Sequence, residues 1–319
     1  MTRDTLERRQ VWVYVAALAA GVAVGTGVPQ AASLFEALLW PCLALLLFAT
    51  FTQVPLVALP AALRDGRFVA AVMIGNFIAV PLLVAALLVL VPDDPAVRLG
   101  VLLVLLVPCT DWFITFTHQA GGDTGRAIAV TPVVLIAQMA VLPLYLWAFM
   151  GDGLGDVVSA SRMTTVFLLV IAAPLVAAYA TERWVARDAG RKTLIRRLGW
   201  WPVPLLALVL FFLGASQAEA VAVARAIPLA GDVAAVFLLF FVGAVLLGFG
   251  AGRLLRLPAA QARTLMFSFA TRNSFVVLPL ALALPPEWGA AAMVIVLQSV
   301  VELFGVLVLL WLLARHRTG

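Results

Sequence analysis

Two polar strings stand out in an otherwise apolar chain: Pro108-Cys109-Thr110-Asp111 and Thr271-Arg272-Asn273-Ser274. Each falls inside an apolar run long enough to cross a bilayer, where an ionisable group is costly and marks a site by default. Pro108 removes a backbone donor, so it cannot sit in an uninterrupted helix without freeing a carbonyl. The first string therefore predicts a helix broken near its middle, and the second interrupts its own run at the equivalent place. Such breaks survive only inside protein or beside a wet cavity, where the exposed helix ends bind solute or ion. The Cys109 thiol reads either as a small apolar side chain or as a soft ligand for a thiophilic solute. Thr110, Asn273 and Ser274 add hydroxyl and amide groups around it. Asp111 and Arg272 are natural partners, as a structural ion pair or with a direct part in transport. Glu302, in the last apolar run, is the candidate proton carrier. Gln53, Gln217, Gln138 and Gln298 are further polar groups within apolar runs, serving as helix–helix hydrogen bonds or as cavity wall.

The elements that position these groups follow from composition. Of 319 residues 64% are apolar and 12% charged, with a mean hydropathy of +1.11. A soluble domain carries roughly 25% charged residues, so this chain cannot coat a water-facing surface. The expected class is an all-α polytopic membrane protein. A core about 30 Å thick needs about 20 apolar residues per helix. Ten stretches qualify, at roughly 11–27, 34–57, 68–91, 97–117, 126–150, 163–181, 201–217, 230–250, 264–284 and 289–313. The charged amino-terminal start reads as a first membrane helix, not a removable signal. Placing it in the cytoplasm assigns 17 of the 21 Lys and Arg to cytoplasmic segments and only Arg98, Arg162 and Arg225 to the opposite side, leaving Arg272 within the ninth span. The positive-inside rule then puts both termini in the cytoplasm, and the expected setting is a bacterial inner membrane. The net charge of +5 belongs to these loops and does not point to nucleic acid. Cys42 and Cys109 lie in apolar runs, which fits buried thiols and not a disulfide framework. No cofactor and no structural metal are expected.

Ten spans split into two halves of five, at about 11–150 and 163–313, and an odd number per half inverts the second. An offset of 164 residues aligns Gln53 with Gln217, Cys109 with Asn273, Gln138 with Glu302 and Trp147 with Trp311.

Pro108-Cys109-Thr110, the later Gly122-Asp123, and Gln298 through Glu302 resemble the arsenite-efflux branch of the bile acid/sodium symporter superfamily. The resemblance covers most of the chain. It implies a single transporter domain with a core of spans 3–5 and 8–10, in which spans 4 and 9 cross, and a panel of spans 1–2 and 6–7. It also implies that Cys109 and Glu302 are the essential residues, and that a proton is exchanged for neutral arsenite or antimonite. The chain departs from that branch at Asp111 and Arg272, where uncharged residues are usual. It lacks the acid and glutamine that the sodium-coupled branch carries in its ninth span. A carrier of another small organic anion, held by Arg272 and coupled to sodium or protons, is the alternative reading. An intramembrane enzyme using Cys109, His118 and Asp111 is disfavoured. Nine residues of continuous helix put His118 about 13 Å from Cys109, whereas a nucleophile and its base must touch.

Overall fold

The computed structural model describes residues 3–54, 65–110, 112–150, 165–188, 191–216 and 229–315. Asp111 and Gln217 lie outside them. The helices are α1 (Arg3–Gly27), α2 (Ala32–Phe51), α3 (Gly66–Leu90), α4 (Pro95–Leu105), α5 (Trp112–Gln119), α6 (Thr124–Met150), α7 (Phe167–Ala186), α8 (Lys192–Leu198), α9 (Pro202–Ser216), α10 (Leu229–Leu254), α11 (Ala259–Ala270), α12 (Ser274–Leu282) and α13 (Ala290–Arg315). Among the described residues the extended pairing is one isolated antiparallel bridge, Pro108 to Arg272.

Among the described residues six helices are long and apolar enough to cross a membrane: Pro29–Phe51, Gly66–Leu90, Thr124–Met150, Phe167–Ala186, Gly231–Leu254 and Ala290–Arg315. Trp12–Gly27, Pro95–Leu105 and Pro202–Ser216 are shorter apolar helices. The outward faces of the long helices carry large apolar side chains such as Leu82, Leu144, Leu169 and Leu246, as lipid contact requires.

The chain divides into two compact units. One comprises Met1–Gln53 and Ser159–Pro228, the other Val54–Val158 and Leu229–Gly319. In the first unit α9 packs against both α1 and α2, and α2 against α7. The α1–α9 approach is close: a Cβ on Gly21 would stand 2.1 Å from the Phe211 carbonyl oxygen, and one on Gly214 would stand 2.7 Å from that of Leu18. Small residues let apolar helices meet backbone to backbone where lipid supplies no hydrophobic drive.

In the second unit α10 packs on α11, α13 on α4, and α12 on α13. Asp94 starts α4, its carboxylate accepting from the amides of Ala96 (2.9 Å) and Val97 (3.0 Å). Helix α3 contains a π-helical segment, Gly75–Ala79, followed by Pro81. Proline leaves the carbonyl four residues before it without its helical donor. Here that carbonyl is Phe77, and the Tyr145 hydroxyl of α6 donates to it at 2.5 Å. Gly75 is needed because the Phe269 ring lies where a Cβ would be.

Candidate functional site

The site forms where two helices stop. α4 ends at Leu105 and α5 resumes at Trp112; α11 ends at Ala270 and α12 resumes at Ser274. The two interruptions pair as a short antiparallel ladder. The Cys109 amide donates to the Thr271 carbonyl at 3.1 Å, and the Asn273 amide donates to the Val107 carbonyl at 2.8 Å. Pro108 and Arg272 therefore form the non-hydrogen-bonded pair between these bonds, with their own backbone groups turned away from the partner segment. That is why a proline is tolerated at position 108: the ladder asks it for no donor.

The Arg272 amide, turned outward, donates to Glu302 Oε2 at 2.8 Å. Gln298, one helical turn earlier on α13, donates to the same oxygen at 2.7 Å. Its own amide oxygen accepts from the Ser274 hydroxyl at 2.8 Å. Asn273 Nδ2 donates to Thr110 Oγ1 at 3.0 Å across the ladder. Cys109, Thr110, Arg272, Asn273, Ser274, Gln298 and Glu302 are all at least 97% buried. Seven residues singled out from sequence thus come together at one place in the second unit.

The hydrogen bonds of the Arg272 side chain go to other groups. Nη2 donates to Asn76 Oδ1 at 3.0 Å, to the Ser268 carbonyl at 2.9 Å and to the Phe269 carbonyl at 2.6 Å; Nη1 donates to the Leu105 carbonyl at 3.3 Å. The Phe240 ring lies 5.5 Å from the guanidinium carbon. Asn76, fully buried in the π-helical segment of α3, also donates to Ser268 Oγ at 2.9 Å. Sequence reasoning passed over Asn76 and Ser268. The signal was the one used elsewhere, a polar side chain inside an apolar run.

Other expected site residues lie elsewhere. Gln138 is buried in α6, and neither of its amide atoms has a hydrogen-bond partner among the described residues. Gln53 belongs to the first unit and bonds locally, to the Ala49 carbonyl (3.5 Å) and Thr52 Oγ1 (3.2 Å). His118 is exposed at the end of α5, with Nδ1 3.4 Å from Thr124 Oγ1.

A second polar cluster sits at the starts of α3 and α6. Arg126 Nε meets Asp65 Oδ2 at 2.5 Å, and Nη1 meets Asp123 Oδ2 at 2.6 Å. The Asp123 amide donates to Thr264 Oγ1 of α11 at 2.9 Å. The hydrogen bond from Arg126, with help from the Phe68 amide, holds the Asp65 carboxyl below its ordinary 3.8.

The family model described as Sodium Bile acid symporter family matches residues 40–224, more than half of the chain. No curated protein sequence matches it.

Proposed function

The chain belongs to the Sodium Bile acid symporter family, a family of membrane transporters of small molecules, and from that premise we propose that it expels arsenite or antimonite in exchange for protons. The observation that carries this reading is the link between Cys109 and Glu302. The ladder has Cys109 on one side and Arg272 on the other, and the amide of that same Arg272 is held by the Glu302 carboxylate. A protonated carboxyl is a weaker acceptor than a carboxylate, so a proton arriving on Glu302 loosens its grip on the segment that pairs with the Cys109 backbone. Solute at Cys109 and proton at Glu302 are then coupled through two residues of backbone. Arsenite is neutral near pH 7 and shaped like a small triol. A soft thiol with the hydroxyl and amide groups of Thr110, Asn273 and Ser274 suits it.

The same proposal has ten spans in two inverted halves, with the interrupted pairs α4–α5 and α11–α12 counted as spans 4 and 9. Three things support it. Val107 and Thr271, Pro108 and Arg272, and Cys109 and Asn273 are each 164 positions apart, so the repeat offset exchanges the two ladder bonds. Helices α3 and α10, and α6 and α13, begin and end within two residues of the same offset. The second compact unit holds the segments expected of the core, and the first those of the panel. Both termini are placed in the cytoplasm, in a bacterial inner membrane. The organic-anion alternative gains nothing here, because both terminal nitrogens of Arg272 are already engaged by protein oxygens.

In everted vesicles, an inward-acid pH gradient should drive arsenite accumulation, and Cys109→Ala or Glu302→Gln should reduce it to the empty-vesicle level. Undiminished accumulation by both variants would refute the mechanism.

A further inference from the structure

Three of the four oxygens around the Arg272 guanidinium have a common origin. In a continuous helix the carbonyls of Leu105, Ser268 and Phe269 would accept from the amides of residues 109, 272 and 273. Those amides are committed elsewhere: Cys109 to Thr271, Arg272 to Glu302, and Asn273 to Val107. The carbonyls left over at the ends of α4 and α11 converge, joined by Asn76 Oδ1, on one buried point. Each helix C-terminus carries roughly half a negative charge, so two of them match a single monovalent cation. Unwound half-helix ends of this kind are where carriers coordinate a dissolved ion.

We propose that this oxygen cage is a monovalent-cation site whose permanent occupant is the Arg272 guanidinium, a cation tethered to the chain. The chain then needs no dissolved sodium or potassium to hold its two interrupted helices together, although sodium stands in the family's description. Removing the side chain leaves a cage of neutral oxygens at two helix C-termini, which takes up a small monovalent cation from solution. The transport arm of the test rests on the reading of the chain as a carrier; the stability arm does not.

Thermal unfolding of the purified protein in sodium, potassium and choline chloride at one ionic strength is the measurement. Wild type should unfold at the same temperature in all three. Arg272→Ala should unfold about 10 °C lower in choline, the scale expected for loss of a buried charged network. It should recover a saturable part of that loss in millimolar sodium or methylguanidinium. A folded Arg272→Ala that responds to neither, or a wild type that sodium stabilises saturably, overturns the proposal. Arg272→Lys keeps a tethered cation and guards against a variant that does not fold. It should match wild type in its indifference to sodium, and a sodium response from it counts against the proposal. In vesicles, wild-type arsenite accumulation should be unchanged when choline replaces sodium, and its loss in choline refutes the tethered cation. If neither medium supports accumulation, the transport reading fails, and the stability comparison alone upholds or overturns the cage.

Discussion

Pro108 and Arg272 face each other across the ladder, 164 positions apart in the chain, yet they use that place in opposite ways. The Arg272 amide gives Glu302 something to hold. Pro108 has no amide to give, and Gln138, which stands 164 positions before Glu302, keeps both of its amide atoms without a hydrogen-bond partner among the described residues. A buried polar group in that condition costs about 1–3 kcal/mol, whereas an apolar replacement of similar shape is near neutral. Gln138→Leu should therefore unfold at the same temperature as wild type or higher. Gln298→Leu should have the opposite effect. It removes one donor from Glu302 and the acceptor of the Ser274 hydroxyl, and should cost about 1.5–3 kcal/mol. Thermal unfolding of the two variants side by side checks the pair.

At the scale of elements, the interruptions and bends are held by side chains from other helices. Tyr145 of α6 satisfies the Phe77 carbonyl that Pro81 strips of its donor in α3. Tyr145→Phe leaves that carbonyl orphaned at almost unchanged volume, and should cost about 1 kcal/mol, read as a lower unfolding temperature. Asp65, at the start of α3, ties that helix to Arg126 of α6. Its carboxyl sits below its ordinary value in the folded chain, so the stabilisation is full above pH about 4 and is lost as pH falls through the folded value. Asp65→Asn keeps an acceptor for the Phe68 amide but loses the charge. Between pH 5 and pH 3 the wild type should lose stability more steeply than Asp65→Asn, and equal slopes would rule the ion pair out as the cause. The side chains of Asp65 and Arg126 are 38% and 40% exposed, so the effect is modest and shrinks with added salt.

At the scale of the molecule, the arrangement of cations predicts sidedness. Asp93, in the turn between α3 and α4, is 91% exposed, and Asp188, just after α7, is 52% exposed. With both termini in the cytoplasm these two turns face opposite compartments. In a Cys42→Ala, Cys109→Ala background, a membrane-impermeant maleimide should label Asp93→Cys on intact cells, and label Asp188→Cys only after lysis. Labelling of both from outside would contradict the topology. The family match to residues 40–224 covers all of the first interruption and none of the second, so the pairing of the two interruptions rests on the ladder and not on the match.

Hydropathy, proline and ionisable residues inside apolar runs are local properties of a chain, and they made the membrane class, the positions of the apolar helices and the two interruptions legible from sequence alone. They also singled out Cys109, Arg272 and Glu302. Sequence could not say what each of these holds. The natural expectation for Arg272 was a carboxylate, and the residue expected, Asp111, lies outside the described residues. Among the described residues the guanidinium meets Asn76, 196 positions away, and three main-chain carbonyls. A carbonyl oxygen is the same in every residue, so its availability is written in no side chain. It becomes a ligand only where a helix stops and the amide that would have paired with it is taken by another segment. That commitment is made in space, by the ladder between residues 107–109 and 271–273, and only the tertiary structure decides it.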